Sequence, residues 1–343
     1  MPTTSWFRSP HPLMEGPMNA AFDASNDQRK RLMSNLQTLL NAYAPIHPSG
    51  PTSVVDALFA YRLFLGRMPA LGGELEALFD AHDVPFRQFI NGILDSAEFS
   101  RSGGFFPSGH TWMAELERFR FWFRTSDRDM GVKMGMGVYE PKAVEVMMAH
   151  IKPGDVCLDI GAQTGFFTMH MASLTGSTGR VHALEPMSDS FDILTKNIRE
   201  NRFDGIVSAS KMACSAENAI RSFAQHSGMM IATDEPEGVT MIPCVRADDV
   251  TKDRVAFVKL DVEGHEPAVL LGMPRILERD RPVILTEVNE YWLNQANSSG
   301  QSYLSRLARY GYELKDIDNN EVVNVDQVTF QPASVMNILA TPL

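Results

Sequence analysis

Asp159 and Glu185 are acidic residues at the ends of two predicted strands, where both could contact a small cofactor. Asp159 lies in the apolar run Val156–Ile160, just before a turn that Gly161 and Gly165 bracket. A strand, a glycine turn and the start of a helix make half of a nucleotide-binding βαβ unit. The glycines let the backbone approach a ligand where a Cβ would clash, and the helix start offers free N–H groups. This segment therefore predicts a binding site for a nucleoside-containing ligand.

The spacing of the glycines and the nearby acid narrow the choice of ligand. The turn reads G-x-x-x-G, which is neither the dinucleotide motif G-x-G-x-x-G nor the phosphate loop G-x-x-x-x-G-K-[ST]. A carboxylate at Asp159 would repel a pyrophosphate but suits an ammonium group, such as that of an aminoacyl ligand. Glu185 follows the predicted strand Arg180–Leu184, a position from which an acid hydrogen-bonds a ribose diol. The two acids together predict S-adenosylmethionine as the cofactor; the alternative is an ordinary strand-turn-helix whose glycines only make the turn.

Apolar runs alternate with helical periodicity from about residue 141 onward, which predicts a doubly wound α/β sheet. The predicted strands are Val156–Ile160, Arg180–Leu184, Ile206–Ala213, Val255–Leu260 and Pro282–Thr286. The predicted helices are Pro141–Ile151, Phe166–Leu174, Ser188–Asn201 and Glu266–Leu277. Two last strands, in GYELKDI and VMNILATPL, close the sheet as an antiparallel pair. Ligands of such sheets bind beyond the carboxyl ends of the strands. The acids at those ends, expected around one crevice, are Asp159, Glu185, Asp261 and Glu287.

Methyl transfer from a sulfonium requires alignment of the acceptor and removal of its proton. The candidates for that proton transfer are Asp261, Glu263 and His265 in DVEGHE, together with Glu287. Imidazole titrates close to neutral pH, and crowded carboxyl groups have raised pKa values. Alternatively, Glu263 is a first-turn helix acid, His265 is an exposed turn residue, and Asp261 binds the cofactor's amino group or the acceptor hydroxyl. Carboxylates are also the ligands that Mg²⁺ prefers, but no metal is predicted.

The chain resembles the FkbM-type S-adenosylmethionine-dependent methyltransferases, a class I family, across roughly Gly137–Glu290. The matching segments, in the family's order, are GVYEP (Gly137–Pro141), KPGDVCLDIGAQTGFFT (Lys152–Thr168), GRVHALEP (Gly179–Pro186), VKLDVEGHE (Val258–Glu266) and RPVILTE (Arg281–Glu287). The LDVEGHE segment separates this family from other class I methyltransferases. Gln163 departs from the asparagine more usual in the family, but both side chains are amides.

The resemblance implies a class I methyltransferase fold, with a mostly parallel Rossmann-like sheet and an antiparallel last strand. It also implies S-adenosylmethionine as the cofactor. The residues expected to bind the cofactor are Glu140, Asp159, Gly161, Gln163, Gly165, Thr168, Glu185 and Ser215. Glu140 either lines the methionine end of the cofactor or is a helix N-terminal acid favoured by the dipole. Ser215 lies where class I enzymes contact the adenine, and a β insertion is expected over Ala216–Val250.

The function that the resemblance implies is O-methylation of a hydroxyl group on a small-molecule or glycan acceptor. A sugar of a bacterial glycan or glycolipid is the expected acceptor, and a polyketide-type or other secondary-metabolite hydroxyl is the alternative. Two further alternatives are a non-catalytic methyltransferase-like scaffold and an NAD-dependent oxidoreductase. The missing G-x-G-x-x-G and the acid before the first glycine argue against the oxidoreductase.

The composition fits a soluble cytoplasmic enzyme. A net charge of −11 argues against a nucleic-acid partner, because such partners are bound through Lys and Arg. The 3 cysteines include no C-x-x-C pair, and their odd number argues against a disulfide framework. No apolar run reaches the roughly 20 residues of a membrane span, and the N-terminus lacks the apolar core of a secretory signal.

The sequence divides into four predicted regions. Residues 1–50 form an arm with one helix, and 51–102 form a helical module that resembles one found beside bacterial glycan enzymes. The sequence leaves three alternatives for what this module binds: a glycan, a partner enzyme of glycan biosynthesis, or a second copy of the chain. Residues 103–136 are a linker with a connecting helix over Thr111–Thr125, and 137–343 are the methyltransferase domain. The aromatic and arginine side chains of Thr111–Thr125 either clamp the two domains together or contact sugars and phosphates.

Overall fold

A computed structural model describes residues 60–61, 84–85, 88–89, 92–93, 111–127, 130–226, 229–232 and 239–343. The strands are β1 (Thr111–Glu115), β2 (Arg120–Arg124), β3 (Val156–Ile160), β4 (Arg180–Leu184), β5 (Val207–Ser210), β6 (Ala213–Cys214), β7 (Ala219–His226), β8 (Met229–Ala232), β9 (Val239–Val245), β10 (Val255–Leu260), β11 (Val283–Asn289), β12 (Tyr312–Asp316), β13 (Glu321–Val322) and β14 (Val335–Pro342). The helices are α1 (Gly131–Gly135), α2 (Pro141–His150), α3 (Phe166–Thr175), α4 (Ser188–Glu200), α5 (Ala247–Val250), α6 (Glu266–Leu271), α7 (Glu290–Gln295) and α8 (Gly300–Arg309). The predicted N-terminal arm and nearly all of the helical module lie outside the described residues.

The domain is built on an eight-stranded sheet in the order β13-β12-β14-β11-β10-β3-β4-β5. The pairs from β11 through β5 are parallel, whereas β14 runs antiparallel to both β11 and β12. The central strands are nearly continuous apolar runs, as expected for parallel strands that are covered on both faces. The predicted doubly wound sheet with an antiparallel last strand is confirmed.

Successive side chains of the central strands enter two separate cores. Cys157 and Phe257 belong to the core formed with α2, α3 and α4, whereas their neighbours Leu158 and Val258 face α6 and α8. Because residues two apart share a face, Asp159 and Lys259 point toward the side of α2 and α3. These two residues are direct partners in the parallel β3–β10 register. Two charged side chains therefore stand next to each other at the carboxyl end of the sheet.

A second sheet of four strands, in the order β6-β9-β7-β8, is inserted between β5 and β10. This insertion confirms the β structure expected over Ala216–Val250. The single strand predicted over Ile206–Ala213 is wrong, because the chain forms β5 in the large sheet and then the separate β6 in the small one. Asp248 has a structural role in this region, since its Oδ1 and Oδ2 accept hydrogen bonds from the backbone N–H groups of Ile276 and Arg275.

The connecting helix predicted over Thr111–Thr125 is wrong, because this segment is the antiparallel hairpin of β1 and β2. Phe119, Phe121 and Phe123 are buried, and the residues between them are more exposed. This alternation has the period of two that is typical of a strand, and it places the three phenylalanines on the inner face of the hairpin. Phe121 packs edge-to-face on Phe166 of α3, so the hairpin belongs to the core of the α/β domain.

Two predicted boundaries near the carboxyl end of the sheet also differ from the structure. The helix predicted over Glu266–Leu277 ends at Leu271, and a separate π-helical turn covers Ile276–Asp280. Pro274 lies between them and has no N–H to continue the helix. The strand predicted over Pro282–Thr286 extends to Asn289, which places Glu287 within β11 rather than after it.

Two further expectations concern cysteines and membrane spans. Cys157, Cys214 and Cys244 are all free and buried. Over the described residues, no helix combines the length and the apolar character that crossing a bilayer requires.

Candidate functional site

The glycine turn between β3 and α3 is held by contacts within the protein. The N–H groups of Gly161 and Ala162 both donate to the carbonyl oxygen of Leu184 at 3.0 Å. Gly161 has a φ of +88°, and a Cβ at this position would lie 1.8 Å from the carbonyl oxygen of Asp261. A Cβ on Gly165, whose φ is +92°, would lie 2.6 Å from Cδ1 of Leu194. Both glycines are therefore required for the close approach of neighbouring elements.

Asp159 offers an unpartnered carboxylate oxygen beside this turn. Its side chain is buried, and Oδ2 accepts a hydrogen bond from the hydroxyl of Thr168. Among the described residues, Oδ1 has no hydrogen-bond partner. Burial raises the pKa of Asp159 to about 6, although the bond from Thr168 and the charge of Lys259 oppose the shift. A buried acceptor without a donor costs free energy, so it fits a ligand that brings an N–H group.

Glu185 and Gln163 connect the turn to the end of β4. The backbone N–H of Gln163 donates to Glu185 Oε2 at 2.8 Å, and that of Met187 donates to Oε1 at 2.8 Å. Burial raises the pKa of Glu185 to about 7, against the opposing effect of these two bonds. Each carboxylate oxygen can still accept a further hydrogen bond, which leaves capacity for a ribose diol.

A cluster of carboxylates lies on the other side of the turn. Carboxylate oxygens of Glu140, Asp261 and Glu287 lie within 4.8 Å of one another. Glu140 has a left-handed backbone (φ 38°) at the start of α2 and makes no side-chain capping bond there. Its Oε2 is buried and has no partner among the described residues. The Glu140 carboxylate therefore belongs to the cluster with Asp261 and Glu287 and does not cap the helix.

Lys259 supplies the positive charge of this cluster, and sequence reasoning missed it. Its side chain is 1% exposed, and Nζ lies 2.9 Å from Asp261 Oδ2. Burial alone lowers the pKa of the ammonium group, but Asp261, Glu140 and Glu287 outweigh that effect and raise it above its ordinary value. The signal in the sequence was a lysine inside the apolar strand VAFVKL, because a lysine is rarely buried without carboxylate partners.

Glu263 and Glu287 both retain protons near neutral pH. Burial, reinforced by the charge of Asp261, raises the pKa of Glu263 to about 8 and that of Glu287 to about 9. The loop that carries Glu263 is fixed by Glu266, whose Oε1 accepts from the N–H groups of Val262 and Gly264 at 3.0 and 3.3 Å. Carboxyl groups with raised pKa values are suited to general acid–base chemistry.

The structure places His265 and Ser215 together, in contact with the small sheet. His265 Nε2 lies 3.1 Å from the hydroxyl oxygen of Ser215, and its ring packs edge-to-face on Phe223 of β7. Burial, with the nearby charge of Arg221, lowers the pKa of His265 to about 4, so the imidazole is neutral at pH 7. Neither residue hydrogen-bonds a carboxylate of the cluster in the described structure, so the cluster consists of Glu140, Lys259, Asp261, Glu263 and Glu287.

Residues 159–314 match the family model described as the methyltransferase FkbM domain. The matched region runs from Asp159 in β3 to Leu314 in β12, and it includes the glycine turn, Glu185 and most of the carboxylate cluster. Over these residues the match agrees with the predicted resemblance to the FkbM-type methyltransferases. Glu140 and the hairpin precede the matched residues.

One curated relative and two solved structures are similar to this chain. The hexuronic acid methyltransferase AglP of Haloferax volcanii is 28% identical over 155 residues, which cover 43% of this chain and 61% of the relative. The chain thus spans less than two thirds of the length of that relative. A putative rRNA methylase of Clostridium thermocellum has a TM-score of 0.40 at 12% identity and covers 59% of this chain and 95% of its own. A methyltransferase FkbM of Methylobacillus flagellatus has a TM-score of 0.38 at 15% identity, and the match covers 58% of this chain and 50% of that protein. These structural likenesses are too weak to support an argument.

Proposed function

We propose that this chain, whose residues 159–314 are a methyltransferase domain of the FkbM type, is an S-adenosylmethionine-dependent O-methyltransferase of a sugar hydroxyl. The observation that carries the proposal is Asp159, a buried carboxylate with one unpartnered oxygen beside the glycine turn. Glu185 lies at the end of the next strand with capacity for a ribose diol. The two acids match the amino and ribose groups of the cofactor, and the carboxylate cluster lies around the carboxyl ends of β10 and β11.

Each residue of the cofactor site has a proposed role. Asp159 accepts a hydrogen bond from the amino group of the methionine moiety, and the hydroxyl of Thr168 orients the Asp159 carboxylate. Glu185 accepts hydrogen bonds from the ribose hydroxyls, and the backbone N–H of Gln163 fixes the position of the Glu185 carboxylate. When bound there, S-adenosylmethionine supplies an electrophilic methyl group.

Glu287 is the proposed group that removes the proton of the acceptor hydroxyl. A base is most effective when its pKa lies near the working pH, and the pKa of Glu287 is raised to about 9. The positive charge of a ligand bound beside Glu287 would lower the pKa of Glu287, because it offsets the repulsion from Asp261. Lys259 forms an ion pair with Asp261, and its charge partly offsets the burial that raises the pKa of Glu287.

The sugar acceptor is proposed on two grounds. The relative AglP is a hexuronic acid methyltransferase, and the cluster offers carboxylate oxygens that can accept hydrogen bonds from several hydroxyl groups. A bacterial glycan or glycolipid is the finer proposal. It rests on the sequence resemblance of the N-terminal module to one found beside glycan enzymes.

Calorimetric titration with S-adenosylmethionine, S-adenosylhomocysteine and NAD tests the proposal. We expect micromolar binding of the first two ligands and no binding of NAD. Asp159→Ala should abolish binding, and Glu313→Gln, a change on the exposed face of β12, should leave it unchanged. Absence of binding to the unmodified protein would sink the methyltransferase proposal and favour a scaffold role.

An acceptor screen then separates the substrate classes. S-adenosylhomocysteine release is followed with neutral hexoses, hexuronic acids and a polyketide-type alcohol as acceptors. Turnover with a sugar supports the proposal, and turnover with the alcohol alone contradicts the sugar assignment.

A further inference from the structure

Asn197 of α4 and Asn201, the C-cap residue of the same helix, bind the open edge of the hairpin strand β2. Asn201 Oδ1 accepts from the N–H of Arg120 at 2.8 Å, and its Nδ2 donates to the Arg120 carbonyl at 2.7 Å. Asn197 makes the same pair of bonds with Trp122, at 2.6 and 3.0 Å. Each amide therefore acts as the backbone of a neighbouring strand would act.

The spacing of the two asparagines explains why this arrangement fits. Residues four apart on a helix rise by about 6 Å, and residues two apart on a strand by about 6.6 Å. Asn197 and the C-cap residue Asn201 are four apart along the last turn of α4, and their partners Trp122 and Arg120 are two apart on β2. We call this pair of contacts the amide ladder.

Asn197 makes one contact that Asn201 lacks. Its Nδ2 also donates to the carbonyl oxygen of Thr164 at 2.8 Å, and the side chain is completely buried. Thr164 lies in the glycine turn, next to Gln163, whose N–H fixes Glu185. Leu194, three residues before Asn197 on α4, packs against Gly165 of the same turn. One face of α4 thus holds both the hairpin and the turn.

We propose that Asn197 is a positioning residue for cofactor binding: it sets the glycine turn by joining Thr164 to the hairpin. This inference rests on the proposed function and extends the cofactor site to a hairpin that lies before the residues matched by the family model. Asn197 touches neither Asp159 nor Glu185 in the described hydrogen bonds; it acts by fixing the backbone that presents the Gln163 N–H to Glu185.

The two rungs of the amide ladder provide a matched comparison. Asn197→Ala and Asn201→Ala each remove two hydrogen bonds to β2, but only Asn197→Ala releases Thr164. We expect both variants to melt at lower temperature than the unmodified protein. Only Asn197→Ala should weaken S-adenosylmethionine binding, by roughly fivefold, since one buried hydrogen bond contributes about 1 kcal/mol. Calorimetric titration and thermal unfolding of both variants provide the two measurements.

Equal affinity of the two variants for S-adenosylmethionine would overturn the inference and leave the proposed function intact. No binding by the unmodified protein would overturn both together. If Asn197→Ala does not fold, hydrogen exchange of the unmodified protein decides the question. S-adenosylmethionine should slow exchange in residues 120–124, because the ladder couples them to the turn. An unchanged exchange rate in that segment would contradict the inference.

Discussion

At the scale of single residues, the site depends on how one buried ammonium group offsets several carboxylates. Lys259 pairs directly with Asp261. Its charge also partly offsets the rise in pKa that burial causes in four other carboxyl groups: Asp159, Glu140, Glu263 and Glu287. Removing one partner of a buried pair leaves the other charge without compensation, which is more harmful than replacing both. Lys259 is therefore expected to matter for folding as well as for chemistry.

Lys259→Met should lower the free energy of unfolding by about 3–5 kcal/mol at pH 8, because it leaves an uncompensated buried carboxylate. The loss should be smaller at pH 5, where neighbouring carboxyl groups bind protons. Urea denaturation at both pH values measures the difference, with Lys259→Arg as the variant that keeps the charge. A loss of equal size at both pH values would show that packing, not charge, is what the lysine provides.

Glu287→Gln should separate catalysis from cofactor binding. The amide keeps the volume of the side chain but cannot accept a proton, so kcat should fall by about 10²–10⁴-fold. The dissociation constant of S-adenosylmethionine should change by no more than about twofold, since the proposed cofactor ligands Asp159 and Glu185 are unchanged. Steady-state kinetics on the accepted sugar and titration of the variant test this, with Glu313→Gln as the control. A kcat close to that of the unmodified protein would exclude Glu287 as the base.

At the scale of elements, regular apolar runs were predictable from sequence and the hairpin was not. Strand β3 and the helix start at Phe166 lie where predicted, since a short apolar run and a glycine turn are local signals. The alternation of Phe119, Phe121 and Phe123 was also a local signal, but the density of aromatic side chains obscured its period of two. The contacts of Asn197 lie 33 and 75 residues away in the chain, and no local pattern predicts them.

Phe121 provides a test of the hairpin's place in the core. Its side chain is completely buried and packs on Phe166 at a centroid distance of 5.6 Å. Phe121→Ala should lower the free energy of unfolding by about 3–5 kcal/mol, as for other buried phenylalanines. Trp112→Ala, at a residue of β1 that is 40% exposed, should have a clearly smaller effect. Equal effects in urea denaturation would contradict the strand assignment of the inner face.

At the scale of the whole molecule, folding brings several acidic side chains together at the carboxyl ends of the strands. In the unfolded chain the same side chains would be exposed to water. The parallel strands end at one edge of the sheet, so residues far apart in sequence are forced together. Sequence reasoning could place these acids near one crevice from the strand ends alone. It could not find Lys259 as their partner, because the β3–β10 register and the direction of each side chain depend on the assembled sheet.

The crowding of these acids sets the pH dependence of the cofactor-free protein. Burial raises the pKa values of Asp159 to about 6, Glu185 and Glu266 to about 7, Glu263 to about 8 and Glu287 to about 9. In the unfolded chain these groups titrate near pH 4. Between those pH values the folded state keeps protons that the unfolded state has lost, so stability falls as pH rises.

Thermal unfolding at constant ionic strength should therefore give a melting temperature that decreases steadily from pH 6 to pH 9. Each retained proton contributes a slope of about 1.4 kcal/mol per pH unit. Between pH 8 and 9 the slope should come mainly from the interacting pair Glu263 and Glu287, whose pKa values are raised furthest. Glu287→Gln should flatten the profile in that interval, because an amide has no proton to lose, and Glu313→Gln should not. A melting temperature that rises toward pH 9 would mean that these carboxylates are ionised and paired in the folded protein, which would contradict the raised pKa values.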